Sequence, residues 1–131
     1  MAKHTITRIY NDGVATFTDA ESPTYRADLP AIDEPIGALA ANFQVTFSFT
    51  KTKLKSIMLY ATAAMIVYTN SPSGSAPQDT IHLAAGVMYL WNIDNGPPYQ
   101  ANPFIGDVTT IYVTSTPGGV LSIRGTFDPA T

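Results

Sequence analysis

The chain of 131 residues contains no cysteine, which removes disulfide scaffolds, thiolate zinc sites, iron–sulfur clusters and cysteine nucleophiles together. Charge is scarce as well. Only 13% of the residues are Asp, Glu, Lys or Arg, and the net charge is −3. A soluble domain usually carries about 25% charged residues. A mildly acidic chain has no basic field to neutralise phosphates, so no nucleic-acid partner is expected. The longest apolar stretch, Ile57 to Tyr68, is interrupted by Thr62. It falls short of the roughly 20 residues that a membrane-crossing helix needs, and no membrane partner is expected. The start, Met1 to Arg8, alternates polar and apolar residues without a continuous apolar core, unlike a secretory signal, so export by that route is not expected.

What is present suits a folded domain: 45% of the residues are hydrophobic, too many for a disordered chain of this charge. The length fits one domain spanning residues 1–131, with 1–13 as an N-terminal arm or edge strand. Phe43 to Thr50 alternates apolar with polar residues, the pattern of a half-buried strand. Val108–Ser115 and Val120–Phe127, joined by Thr116-Pro117-Gly118-Gly119, read as a hairpin around a type II turn that buries Ile111, Val113, Leu121 and Ile123 together. Lys55–Ala61, Ala64–Thr69, Thr80–Ala84 and Val87–Trp91 are rich in β-branched and aromatic residues and bounded by turn formers. Ile6–Tyr10 and Val14–Thr18 flank Asn11-Asp12-Gly13, a hairpin signal. Only Pro35 to Asn42 has a helical look, with Asp33 or Glu34 as its cap. The expected fold is all-β: a single antiparallel β-sandwich, jelly-roll-like, with at most one short helix near residues 35–42.

Catalytic chemistry finds little to work with. His4 and His82 are the available imidazole bases, and His82 reads as a polar-face strand residue out of phase with Ile81 and Leu83. Ser48-Phe49-Thr50-Lys51 has the Ser-x-x-Lys spacing, but strand alternation turns Ser48 and Lys51 to opposite faces. Asp33, Glu34, Asp79, Asp94 and Asp107 lie in or near loops, where carboxylates normally serve turns and caps. No metal-binding motif or phosphate-cradling loop is found, Asp94-Asn95-Gly96 offering at most an adventitious calcium contact, so neither a cofactor nor an enzyme activity is expected.

Features suited to binding are more evident. Lys51, Lys53 and Lys55 recur at every second position and form one positive row if the strand continues, guarding an edge or meeting an acidic partner. Trp91 and Tyr89 precede the proline-rich segment 94–103, which holds Tyr99, and Trp91 reads either as core or as an anchor on a protein or sugar. The N-terminal segment, with Ile6 and Ile9, is a second candidate contact through strand addition. Many Thr, Ser and Asn residues beside few charges favour a surface that other protein covers.

Tyr68-Thr69-Asn70-Ser71, the run Asp79 to Gly86 leading to Trp91, Asn102 to Thr114, Leu121-Ser122-Ile123-Arg124 and Phe127-Asp128 occur in an order that resembles small β-sandwich structural proteins of tailed bacteriophages, the capsid decoration or cement type. The resemblance spans residues 55–128 and leaves the first 50 unaccounted for. It implies a non-enzymatic virion protein on the capsid exterior, a homo-oligomer (trimer or dimer), bound to the major capsid protein across subunit junctions. The alternative is a carbohydrate-binding, lectin-like jelly-roll module of a phage fibre or tail, using Trp91 and Tyr99.

Overall fold

The computed structural model describes residues 2–4, 7–11, 16–20, 24–92 and 102–128. Its strands are β1 (Ala2–His4), β2 (Thr7–Asn11), β3 (Thr16–Ala20), β4 (Thr24–Asp28), β5 (Ile32–Ile36), β6 (Ala40–Val45), β7 (Leu54–Ala61), β8 (Met65–Thr69), β9 (Thr80–Leu83), β10 (Tyr89–Asn92), β11 (Ile111–Ser115) and β12 (Gly119–Phe127). From β5 onward the antiparallel pairs are nested: β5 with β12, β6 with β11, β7 with β10, β8 with β9. Successive pairs alternate between two sheets, ordered β5-β12-β7-β10 and β6-β11-β8-β9. A long hairpin rolled up in this way is a jelly roll, and the β-sandwich expected from the sequence is the fold.

The period-2 patterning drives this arrangement. In β8 and β11 every second residue is buried, placing Met65, Val67, Ile111 and Val113 on the inner face of one sheet. Ile57, Leu59, Ala61, Leu121, Ile123 and Trp91 come from the other. Each fully buried Leu or Ile side chain contributes about 1.5–3 kcal/mol, so this shared core is what holds the sheets together.

Towards the N-terminus, β4 and β5 run one after the other along the same flank of β12, broken at Leu29-Pro30-Ala31. The Leu29 amide still donates to the Gly125 carbonyl across the break (3.0 Å). A side chain at Gly125 would place its Cβ 2.7 Å from Leu29 Cδ1 and 2.9 Å from the Ser56 carbonyl oxygen, so only glycine lets Leu29 close over β12. β1 extends the same sheet by pairing with β4, while β2 and β3 form a ribbon that joins neither sheet among the described residues.

Four local expectations meet the structure, the first an upper bound that is not reached and the other three corrected by it. Residues 35–42 are the end of β5, a turn with Leu39 at φ +60°, and the start of β6, and they contain no helix. Pairing of β5 with β12 outweighs the helix propensity of the alanines, and Pro35 is tolerated because β5 is an edge strand. Second, β11 and β12 do not form a hairpin. They belong to opposite sheets, and Ile111 and Val113 are buried facing Leu121 and Ile123 across the core rather than beside them. Third, the ladder of Phe43–Thr50 stops at Val45. The alternation nevertheless persists, with Val45, Phe47 and Phe49 buried while the chain crosses between sheets. Finally, Lys51 and Lys53 lie in a single 3-10 turn and Lys55 in β7, so the three lysines do not form one row.

Candidate functional site

The roll has two unlike ends. At one, the crossing segment 46–53, the β8–β9 loop 70–79 and residues 102–110 meet in a hydrogen-bonded polar cluster. Asn70, in the left-handed region at φ +66°, is its hub. Its Nδ2 donates to Gln78 Oε1 (3.2 Å) and to the Asp107 carbonyl (2.8 Å), and its Oδ1 accepts from the Thr109 amide (2.8 Å). Asp79 accepts from Thr69 Oγ1 (2.9 Å), Gln78 Nε2 (3.2 Å) and the Ile105 amide (3.1 Å), and Asp107 accepts from the Lys51 amide (2.8 Å). Beneath them Phe49 stacks edge-on against Phe47 and Phe104, with centroids 5.7 and 4.9 Å away. These carboxylates hold loops in place.

Of the groups that sequence reasoning weighed for catalysis, Asp79 and Asp107 meet in this cluster, where their carboxylates accept hydrogen bonds from the loops, and His82 and Asp33 lie elsewhere. His82 lies opposite Ile66 on the outward side of β9, whereas Asp107 meets Asn70, four residues further along that chain and roughly 13 Å away at strand spacing. Asp33 sits on the other sheet, 2.8 Å from Arg124 Nη2 and 2.8 Å from Ser122 Oγ. The Arg124 hydrogen bond chiefly, and the Ser122 hydroxyl next, hold its carboxyl below the usual carboxylate range. Tyr89 is pushed up, first by burial and then by the charge of Asp79. Among the described residues no group of three or more His, Asp or Glu is placed to hold a metal ion, and no helix is long and apolar enough to cross a membrane. Asp94-Asn95-Gly96 lies outside the described residues.

The opposite end is built from four turns: residues 37–39 between β5 and β6, 62–64 between β7 and β8, 84–88 between β9 and β10, and 116–118 leading into β12. None of them contains a charged residue. They read Gly-Ala-Leu, Thr-Ala-Ala, Ala-Ala-Gly-Val-Met and Thr-Pro-Gly. Leu39 is 78% exposed, Val87 58% and Met88 54%. Backbone and hydroxyl bonds tie the turns to one another and to the adjoining strand ends. The Leu39 amide donates to the Thr116 carbonyl (3.0 Å), Ser115 Oγ to the Ala64 carbonyl (2.8 Å), the Val120 amide to Thr62 Oγ1 (2.9 Å) and the Gly86 amide to the Ala61 carbonyl (2.8 Å). A groove of about 350 Å³ opens over β8 at this end, lined by Ala64, Met65, Ile66, His82 and Leu83 and by residues 114–117. The polar end has a concavity of about 300 Å³ between Leu29, Pro30, Phe49 and Phe127, with Lys53 at its edge.

Of the residues expected at an interface, Trp91 is in the core, 3% exposed and opposite Ile57, which removes it as an anchor for a sugar or a partner. Ile9 pairs with Thr18 within the β2–β3 ribbon. Ile6 and Tyr99 lie outside the described residues. Lys51 is engaged locally, its Nζ donating to the Ile105 carbonyl (3.2 Å). Leu39, Val87 and Met88 were missed. Their signal is compositional, since exposed turns are normally rich in Asn, Asp, Ser and Gly, and these turns hold no Asn, Asp or Ser and are rich in Ala, with Leu, Val and Met beside their glycines. The nested topology is needed to see that the four turns share one end.

Compared with family models, with curated proteins and with solved structures, the chain matches none.

Proposed function

We propose that the protein is a non-enzymatic structural component of a bacteriophage virion, a decoration or cement protein that binds the capsid exterior across junctions of the major capsid protein. The observation that carries the reading is the charge-free, apolar end surface. Three large apolar side chains, Leu39, Val87 and Met88, are exposed on this charge-free end, and the cores of protein interfaces are poor in charge. Hydrogen bonds from the four turns to one another and to the adjoining strand ends pre-organise that surface, which lowers the ordering cost of docking. Jelly rolls occur in both capsid and lectin domains, so the architecture agrees with the reading only by analogy. Burial of Trp91 weakens the carbohydrate-binding alternative, which leaned on that ring.

The mechanism is linkage. A protein that binds the assembled shell and not its dissociated subunits stabilises the shell by about 2.7 kcal/mol per site at a hundredfold excess over Kd, repeated over every site. Synthesis in the host cytoplasm and self-association into a dimer or trimer belong to the same reading. Purified protein mixed with cognate expanded capsids is expected to co-sediment at a fixed ratio and to raise their disruption temperature. Absence of both effects refutes the proposal.

A further inference from the structure

We propose that the outer face of the β6-β11-β8-β9 sheet binds a neutral oligosaccharide, with sugar rings laid on Tyr68 and Tyr112. The two tyrosines are cross-strand partners on β8 and β11, and their row continues to Gln44 on β6 and Thr80 on β9. The neighbours Val45, Val67, Ile81, Ile111 and Val113 are buried, so strand alternation turns all four side chains outward. One row along lie Thr114, Ile66 and His82, which line the groove over β8. The rows are two residues apart, roughly 7 Å. A ligand of two or three linked rings therefore reaches from the tyrosines into the groove.

Charge narrows the choice of occupant. β6, β8, β9 and β11 contain no Asp, Glu, Lys or Arg, whereas the opposite sheet carries Asp33, Glu34, Lys55 and Arg124. A charged ligand finds no counter-charge on these strands, and a nucleic acid finds no cation for its phosphates. The backbones of β8 and β11 are already paired on both sides, so the middle of the face offers no template for an added peptide strand. Hydrogen-bonding capacity is what it has to spare. Among the described residues the side-chain polar atoms of Gln44, Tyr68, Thr80, His82 and Tyr112 have no partner, while on the opposite sheet Ser122 and Arg124 are taken by Asp33. A wholly apolar surface laid over the row would strip these groups of water and return no bonds. A sugar satisfies both demands, because its C–H face packs on an aromatic ring while its hydroxyls meet the polar tips and amides around it. Trp91, in the core, takes no part. The face is distinct from the charge-free end turns, and its ligand is the same whether or not the chain sits on a shell.

The test titrates the isotopically labelled full chain with cellohexaose, maltohexaose, xylohexaose, mannohexaose and N-acetylchitohexaose, and with hexagalacturonate as the charged control. Amide shifts are read by NMR. At least one uncharged hexasaccharide is expected to shift the amides of residues 66–68 and 111–114, and hexagalacturonate is expected to shift none of them. Tyr68→Ala/Tyr112→Ala leaves the core untouched, so it is expected to keep its melting temperature and to bind that sugar about tenfold or more weakly. Tyr68→Phe/Tyr112→Phe keeps both rings and is expected to lose less. The proposal is overturned if no uncharged hexasaccharide binds, if the shifts fall on another surface, if hexagalacturonate binds as tightly, or if the alanine variant keeps full affinity. Sugar-indifferent protein whose alanine variant no longer binds capsids would assign the face to a protein partner instead.

Discussion

Ser56 and Thr126 lie opposite each other on β7 and β12, both buried, with their hydroxyls 2.6 Å apart. Each hydroxyl satisfies the other, so removing one strands its partner without water. Ser56→Ala is expected to lower stability by about 1–3 kcal/mol in urea denaturation, whereas Ser56→Ala/Thr126→Val recovers most of that loss, because no buried polar group is then left unpaired. Equal losses in the single and double variants would show that the pair is not coupled. The same accounting explains Asn70, Asp79 and Asp107. Their polar atoms are committed to neighbouring loops, and the sequence alone offers no sign of this because the bonds join residues such as Asn70 and Thr109 that lie far apart in the chain.

At the scale of elements, the alternation of single strands was legible and their partners were not. Lys55–Ala61 and Thr80–Ala84 match β7 and β9 within a residue or so, since burial of every second side chain is written locally. Pairing is decided elsewhere. Thr116-Pro117-Gly118-Gly119 looks like a hairpin turn, yet it carries the chain between sheets, because β12 finds β5 on one side and β7 on the other while β11 finds β6 and β8. Gly118 shows why this connection takes its particular residues. At φ +74°, a Cβ there would lie 2.7 Å from the Ala38 amide nitrogen and 2.9 Å from the Ile36 carbonyl oxygen. Gly118→Ala is therefore expected to cost about 2 kcal/mol or more, through both strain and the opening of the contact between two end turns. Gly37→Ala is the control, since nothing lies within 4 Å of its Cβ position. Chemical denaturation of the two variants checks this, and equal stability would remove the role assigned to Gly118.

Across the whole molecule, the scarcity of charge is unevenly distributed. Lys51, Lys53, Asp79 and Asp107 gather at one end, and the four turns at the other carry no charge. The composition gave the overall shortage, but only the rolled topology shows where it is concentrated. Four strands about 4.8 Å apart in two sheets about 10 Å apart make an end face roughly 20 Å square, or about 400 Å². A stable interface buries about 800 Å² per partner, so one such contact is weak, and an array of sites on a lattice is where it becomes effective. The most direct test is a co-sedimentation isotherm on cognate capsids for the wild-type chain and for Leu39→Lys/Val87→Lys/Met88→Lys. These side chains are exposed, so the variant is expected to keep its melting temperature while its affinity for the shell falls by about a hundredfold or more. A folded variant that binds the shell as tightly as the wild type would contradict the central claim that this end is the docking surface.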